Sequence, residues 1–295
     1  AAIAIGENAE ATGEGAIAIG GDDEDEHDNG AIASGFASIA LGMDSLATGS
    51  GSVAMGLRAE ATAEDAIAIG NNSEAEYIGS TVIGTDAYSA GDYGIALGFD
   101  AGAGNDYAIA LGYSAFASGD AAIALGCEAE ATADGAIAIG MSENCNGTGE
   151  HTTASAVGAI AIGESAAASG SRAVAIGEGA VASGSGSIAL GDYAETANID
   201  AIAIGRDSEA TGNTAVALGT FSHAGGGNSV AIGYLAEAEG DYAIALGRDS
   251  DASGNEAIAI GRDSVAGGIN AVALGAGSEA SADFSLALGS LSSAS

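Results

Sequence analysis

The stretch Ala173-Val174-Ala175-Ile176-Gly177-Glu178-Gly179-Ala180-Val181-Ala182-Ser183-Gly184 decides the reading of the chain. An Ala-Ile/Val-Ala-Ile/Leu-Gly run like its opening five residues ends at 20 glycines along the 295 residues, from Gly6 to Gly289. Their spacing is 14 residues except at two places: Gly20 to Gly42 is 22, and Gly140 to Gly163 is 23. A fixed period of this kind marks stacked supersecondary units rather than an ordinary domain.

With this glycine numbered position 14, position 11 is mostly Ile or Val (Ile17, Ile109, Val174, Val230). Position 13 is Ile, Leu or Met, and position 12 is alanine in 19 copies, with Val82 the exception. Positions 3 and 5 are mostly Ala or Ser, as in Ala129, Ala131, Ser208 and Ala210. Position 7 is mostly Gly, with Asn105 and Asn198 among the substitutes. Apolar residues that alternate with period two describe strands, and the glycine density excludes a helix. Glycines at 7 and 14 are expected where the chain reverses, because Gly and Asn tolerate positive φ. One repeat is therefore two short strands and two turns. The predicted architecture is all-β, a parallel β-roll solenoid of about 20 coils over residues 1–295, with insertions at 21–28 and 141–149. At the usual strand spacing, 20 coils stack to roughly 95 Å.

Large residues at 11 and 13 are expected to face inward against small residues at 3 and 5. That choice leaves alanines at 10 and 12 outside, as a long apolar face that a lone chain rarely exposes. Close-packed oligomerisation through Ala18, Ala68, Ala110, Ala138, Ala175, Ala203 and Ala245 follows as the expectation. The alternative is that position 12 is small only for local packing.

Charge narrows the function. There are 41 acidic residues against five arginines and no lysine, a net charge of −36. Phosphate binding needs clustered cations, so nucleic acid is excluded as a partner, and an anionic membrane is disfavoured. No run approaches a membrane span in length, and the chain reads as a mature product or a slice of a longer one.

The string quoted above resembles the head repeats of trimeric autotransporter adhesins, the YadA-like head, and it covers the chain apart from the two insertions. The resemblance implies a left-handed roll, a side-by-side homotrimer, and a location outside the cell on its surface. It also implies an adhesin head or fibre that attaches to surfaces, cells or matrix. The alternative is a structural extracellular filament of a salt-adapted organism, built by end-to-end stacking of trimers. Ala1 falls at position 9 and Ser295 at position 6, so two residues would complete the register between end and start.

Candidate sites are few. Asp22, Asp23, Glu24, Asp25, Glu26 and Asp28 form an oxygen-rich loop of the kind that suits Ca²⁺ or Mg²⁺, though without EF-hand spacing. The competing reading is a solvated acidic loop. No cofactor is expected otherwise. Acidic ladders recur at position 4 (Glu60 on Glu74, Glu195 on Glu209, Glu237 on Asp251) and at position 2 (Asp86 on Asp100, Asp249 on Asp263). They call for salt, cations or the nearby arginines as compensation. Cys127 is at position 1, and Cys145 lies in an insertion that leaves the next coil at the same corner. The pair can form a disulfide or remain two free thiols. Seven of the 13 aromatics lie between Tyr77 and Phe116. Tyr93, Phe99, Tyr107, Tyr113 and Phe116 form a candidate ligand patch, or a shield over a sheet edge. His27, His151 and His223 occupy unrelated positions, which supports neither a triad nor a zinc site, so no enzyme activity is expected.

Overall fold

The computed structural model describes residues 1–21, 30–141, 145 and 150–295. The chain divides into two compact units, Ala1–His151 and Thr152–Ser295. Each is a parallel β-solenoid. In the first unit, three-residue strands run from Ile3–Ile5 to Ile137–Ile139 and alternate with two-residue strands from Glu10–Ala11 to Glu130–Ala131. In the second, the three-residue strands run from Ile160–Ile162 to Leu286–Leu288, and the two-residue strands from Thr153–Ala154 to Ser293–Ala294. Long strands pair only with long strands and short with short, each in a shift of one repeat. Ile95 sits opposite Ile109, and Ala203 opposite Ala217. After the first insertion the pairing resumes in register, with Ile17 opposite Ile39.

The direction of the two strand faces corrects the sequence expectation. Ala18, Ala68, Ala110, Ala138, Ala175, Ala203 and Ala245 are all 0% exposed, so none of them forms an outer interface. The interior consists of positions 3, 5, 10 and 12, which hold alanine and serine almost throughout. Among the described residues the largest fully buried side chains are Val82, Thr152 and Thr196. The Ile, Val and Leu of positions 11 and 13 point outward instead. Leu190, Leu218 and Leu246 are each 40–41% exposed. The physical reason is girth. A coil of three-residue and two-residue strands brings its two sheets close, and a lumen this thin takes Ala or Ser at nearly every coil and a branched side chain only singly, as at Val82, Thr152 and Thr196, with no room for columns of Ile or Leu. Period-two alternation then sends every large residue out.

Serine replaces alanine inside with its hydroxyl satisfied at most coils; Ser229 Oγ is buried without a partner. Ser38 at position 10 and Ser45 at position 3 each donate from Oγ to the carbonyl three residues back, on Gly35 and Gly42, at 2.9 Å. Ser208, Ser250 and Ser264 repeat this bond. A short polar side chain that satisfies the turn beside it is tolerated in a core.

The turns also differ in part from the expectation. Nineteen of the position-14 glycines have φ between +114° and +154°, a region L side chains rarely adopt. A Cβ there would also run into the backbone of the next coil, as at Gly112 against the Gly126 carbonyl. Position 7 does not require positive φ. Gly13, Gly35 and Gly212 are there because the next coil's carbonyl lies where a Cβ would be. The left-handed conformation falls at positions 2 and 9 instead, and residues as large as Tyr93 (φ 58°) and Tyr107 (φ 59°) adopt it.

Candidate ligand-facing surfaces

Each coil presents two outward sheet faces and two corners. On the long-strand face stand the Ile, Val and Leu columns. On the short-strand face stands position 4, where strand pairing sets Glu60 opposite Glu74, Glu195 opposite Glu209, and Glu237 opposite Asp251. Like charges directly across a strand pair repel. The Glu60 carboxyl is accordingly pushed above its ordinary value, by partial burial first and then by the charges of Glu74 and Glu76.

At the corners, arginines at position 1 stand against the aspartates of the position-2 ladder. Arg248 Nε lies 3.2 Å from Asp249 and its Nη2 3.7 Å from Asp263. Arg262 Nε lies 3.0 Å from Asp263. Arg206 Nε lies 3.7 Å from Asp207, and its guanidinium sits 5.1 Å above the centroid of the Phe221 ring.

The five aromatic residues do not form one patch. Tyr93 and Tyr107 stack at 5.5 Å with 10° between planes, and Phe99 and Tyr113 stack at 5.3 Å with 11°. One pair stands just before and the other just after the long strands Ile95–Leu97 and Ile109–Leu111. The outward isoleucines and leucines of these two coils are thus bordered at both ends by aromatic rings. Phe116 lies elsewhere, on the short-strand face. There Gly102 separates it from Tyr88 in strand register. The Tyr88 ring covers Gly102, in the space a Cβ would occupy. Burial pushes the Tyr88 phenol up from its ordinary value, and the charge of Asp100 adds to the effect.

A disulfide joins Cys127 to Cys145, with the Cα atoms 5.6 Å apart. The candidate cation loop of Asp22, Asp23, Glu24, Asp25, Glu26 and Asp28 lies outside the described residues. Among the described residues, no group of three or more His, Cys, Asp or Glu is arranged to hold a metal ion. Nor is any helix among them long and apolar enough to cross a membrane.

One arrangement escaped the sequence reading. His223 takes position 4 in the second unit and interrupts the acidic column between Glu209 and Glu237. Its Nδ1 lies 2.6 Å from Glu209 Oε2, and its Nε2 lies 3.1 Å from Glu239 Oε1. In the first unit, His151 Nε2 similarly lies 3.2 Å from Glu130. The signal was present in the repeat numbering. His223 stands one period from Glu209 and from Glu237, but comparing the histidines only with one another hides it.

Small-residue interior, glycine corners and 14-residue register together define a parallel β-solenoid of the repeat type. The family follows from the match of its model. The YadA head domain repeat model matches at residues 1–22, 29–52, 47–73, 78–101, 103–128, 117–142, 154–179, 168–194, 198–222, 224–250, 252–278 and 266–292, so the chain belongs to that family. No curated protein sequence matches. Among solved structures, the crystal structure of the collagen-binding domain of the Yersinia adhesin YadA is 17% identical, over 84% of this chain and 80% of that one, with a TM-score of 0.21.

Proposed function

We propose that the chain is the head of an adhesin displayed outside the cell, and that it works as a side-by-side homotrimer of left-handed rolls. Membership of the YadA head family supports the adhesin role. The observation that carries the oligomer is the long-strand face, where every coil but the one with Thr81 turns two large apolar side chains outward in columns. An apolar surface this continuous is rare on a monomer and marks an interface. The partner-facing residues are therefore the Ile, Val and Leu of positions 11 and 13 rather than the alanines. The acidic short-strand face is left toward water and toward whatever surface, cell or matrix the head attaches to.

Sedimentation velocity on the purified chain tests this. A trimer is expected, and Ile95→Asp combined with Ile109→Asp is expected to give a folded monomer. A wild-type chain that sediments as a monomer at micromolar concentration would overturn the reading. For adhesion itself, cells displaying the chain should be retained on matrix-coated or cell-coated surfaces, and cells displaying the double variant should wash off.

A further inference from the structure

In the second unit, a furrow of about 430 Å³ runs along the corner between positions 2 and 4. Position 3 forms its floor, with Ser222 and Ala236, and it exists because position 3 is buried and small. Its walls alternate in character. Asp207 and Glu209 flank one coil, Phe221 and His223 the next, and Leu235 and Glu237 the third. Acidic groups thus stand at both ends of a segment whose middle coil carries the Phe221 ring opposite His223, with Leu235 across from the far carboxylate of Glu237.

The donor and acceptor inventory limits what can enter. The floor hydroxyl of Ser222 already donates to the Gly219 carbonyl at 2.8 Å. Both ring nitrogens of His223 face carboxylates, on Glu209 and Glu239. The Arg206 guanidinium lies over Phe221 and beside Asp207. The furrow therefore offers carboxylate acceptors and apolar surface, and its own donors are engaged. An anion is repelled. A bare metal ion finds no three ligands within reach among the described residues. A donor-rich cation with an aliphatic body fits both parts of the lining. Arg206 shows that the Phe221 face accepts a cation, as aromatic faces do.

We propose that this furrow binds a linear aliphatic polyamine. One terminal ammonium group sits at Asp207 and Glu209, the other at Glu237, and the methylene segments lie against Phe221 and Leu235, with an internal amine turned to the open side of the furrow. The two ends are two coils apart, about 10 Å at the spacing of neighbouring strands, which sets the length of the stem. The site goes beyond the adhesin reading and does not depend on it.

Calorimetric titration of the whole chain with spermidine tests the proposal. One saturable site per chain is expected, and 1,2-diaminoethane, too short to span both ends, should bind at least tenfold more weakly. Glu237→Gln should weaken spermidine tenfold or more, as should Phe221→Ser combined with Leu235→Ser. Glu60→Gln with Glu74→Gln removes more charge from an acidic ladder of the first unit and should change it less than twofold. Many weak sites, or equal affinity for the short diamine, would show diffuse counterion attraction and overturn the site. So would displacement by Mg²⁺ at matched ionic strength. The diamine comparison uses the wild-type chain, so the test stands even if a variant fails to fold.

Discussion

The two outward faces of the same coil could hardly differ more. The long-strand face shows Ile, Val and Leu at nearly every turn of the roll, while the short-strand face is mixed: Glu or Asp at many coils, Tyr88, Phe116 and His223 at others, and aliphatics such as Ile32, Leu46, Val181 and Val265 between them. Both rest on one interior of alanine and serine. Only one buried hydroxyl distinguishes a coil with an acidic outer face (Glu74, over Ser73 and Ala75) from one with an aromatic outer face (Phe116, over Ala115 and Ala117). The lesson is that in this fold the core sets shape alone and the exposed half of each strand sets affinity. A face can change character without any repacking beneath it.

The hardest way to break the comparison is at its hinge. Gly112→Ala places a Cβ at φ +142° and against the Gly126 carbonyl, and should cost about 2–5 kcal/mol in denaturant unfolding. Next comes a test of which side is inside. Ala110→Leu should cost about 1–3 kcal/mol by overpacking, whereas Leu111→Ala, on the outer side of the same strand, should cost well under that in a monomer. If the two effects came out reversed, the assignment of the faces would be wrong.

Reducing the Cys127–Cys145 disulfide should destabilise the first unit by at most about 3 kcal/mol, the loop-closure value for a link spanning 18 residues. Mass measurement without reduction should show the chain two hydrogens light.

The acidic face should give the smallest effects. Glu74→Gln is expected to raise stability by about 0.2–1 kcal/mol at neutral pH, toward the low end because the pair is exposed. The gain should shrink as salt rises. The sign with pH follows from Glu60. Its folded-state carboxyl is raised, so the folded chain holds that proton more tightly than the unfolded chain does. Stability from this group falls as pH rises from the ordinary glutamate value through the raised one. Glu60→Gln should flatten that decline in a thermal melt followed from about pH 4 to pH 7.

Much of the fold was legible in the residues. The period, the two strands per coil and the glycine at position 14 all follow from spacing and side-chain size. The inside of the roll was not, because alternation says which residues share a face and never which face is inner. Hydrophobicity pointed to Ile and Leu, and the steric limit pointed to alanine. The pattern held a hint of this: position 12 is alanine in 19 of 20 copies, while position 11 ranges over Ile, Val, Leu and Thr81. A site that admits only one size is a confined site. Among the candidate ligand residues, Tyr93 with Tyr107 and Phe99 with Tyr113 could be paired from the period alone. Phe116 could not be excluded from them, because that needed the coil's cross-section. The furrow at Phe221 needed it too.

The shift of one repeat between paired strands bears on how the chain folds as well as on its shape. Each strand pairs with the strands one repeat before and after it, and its other contacts are with the opposite strands of its own and the adjoining coil. Loop closure between neighbours is cheap, and a finished coil templates the next, so folding can advance along the chain as it emerges. The same regularity creates a hazard. A slip of one whole coil puts alanine on alanine and glycine on glycine, and the backbone would not register the mistake. Only irregular coils can penalise it. Val82 fills the interior where other coils have alanine, and Gly94, whose missing Cβ leaves the space taken by Ser89 Oγ, departs from the position-10 alanine or serine. The least typical coils are therefore the ones that tell the chain where it is.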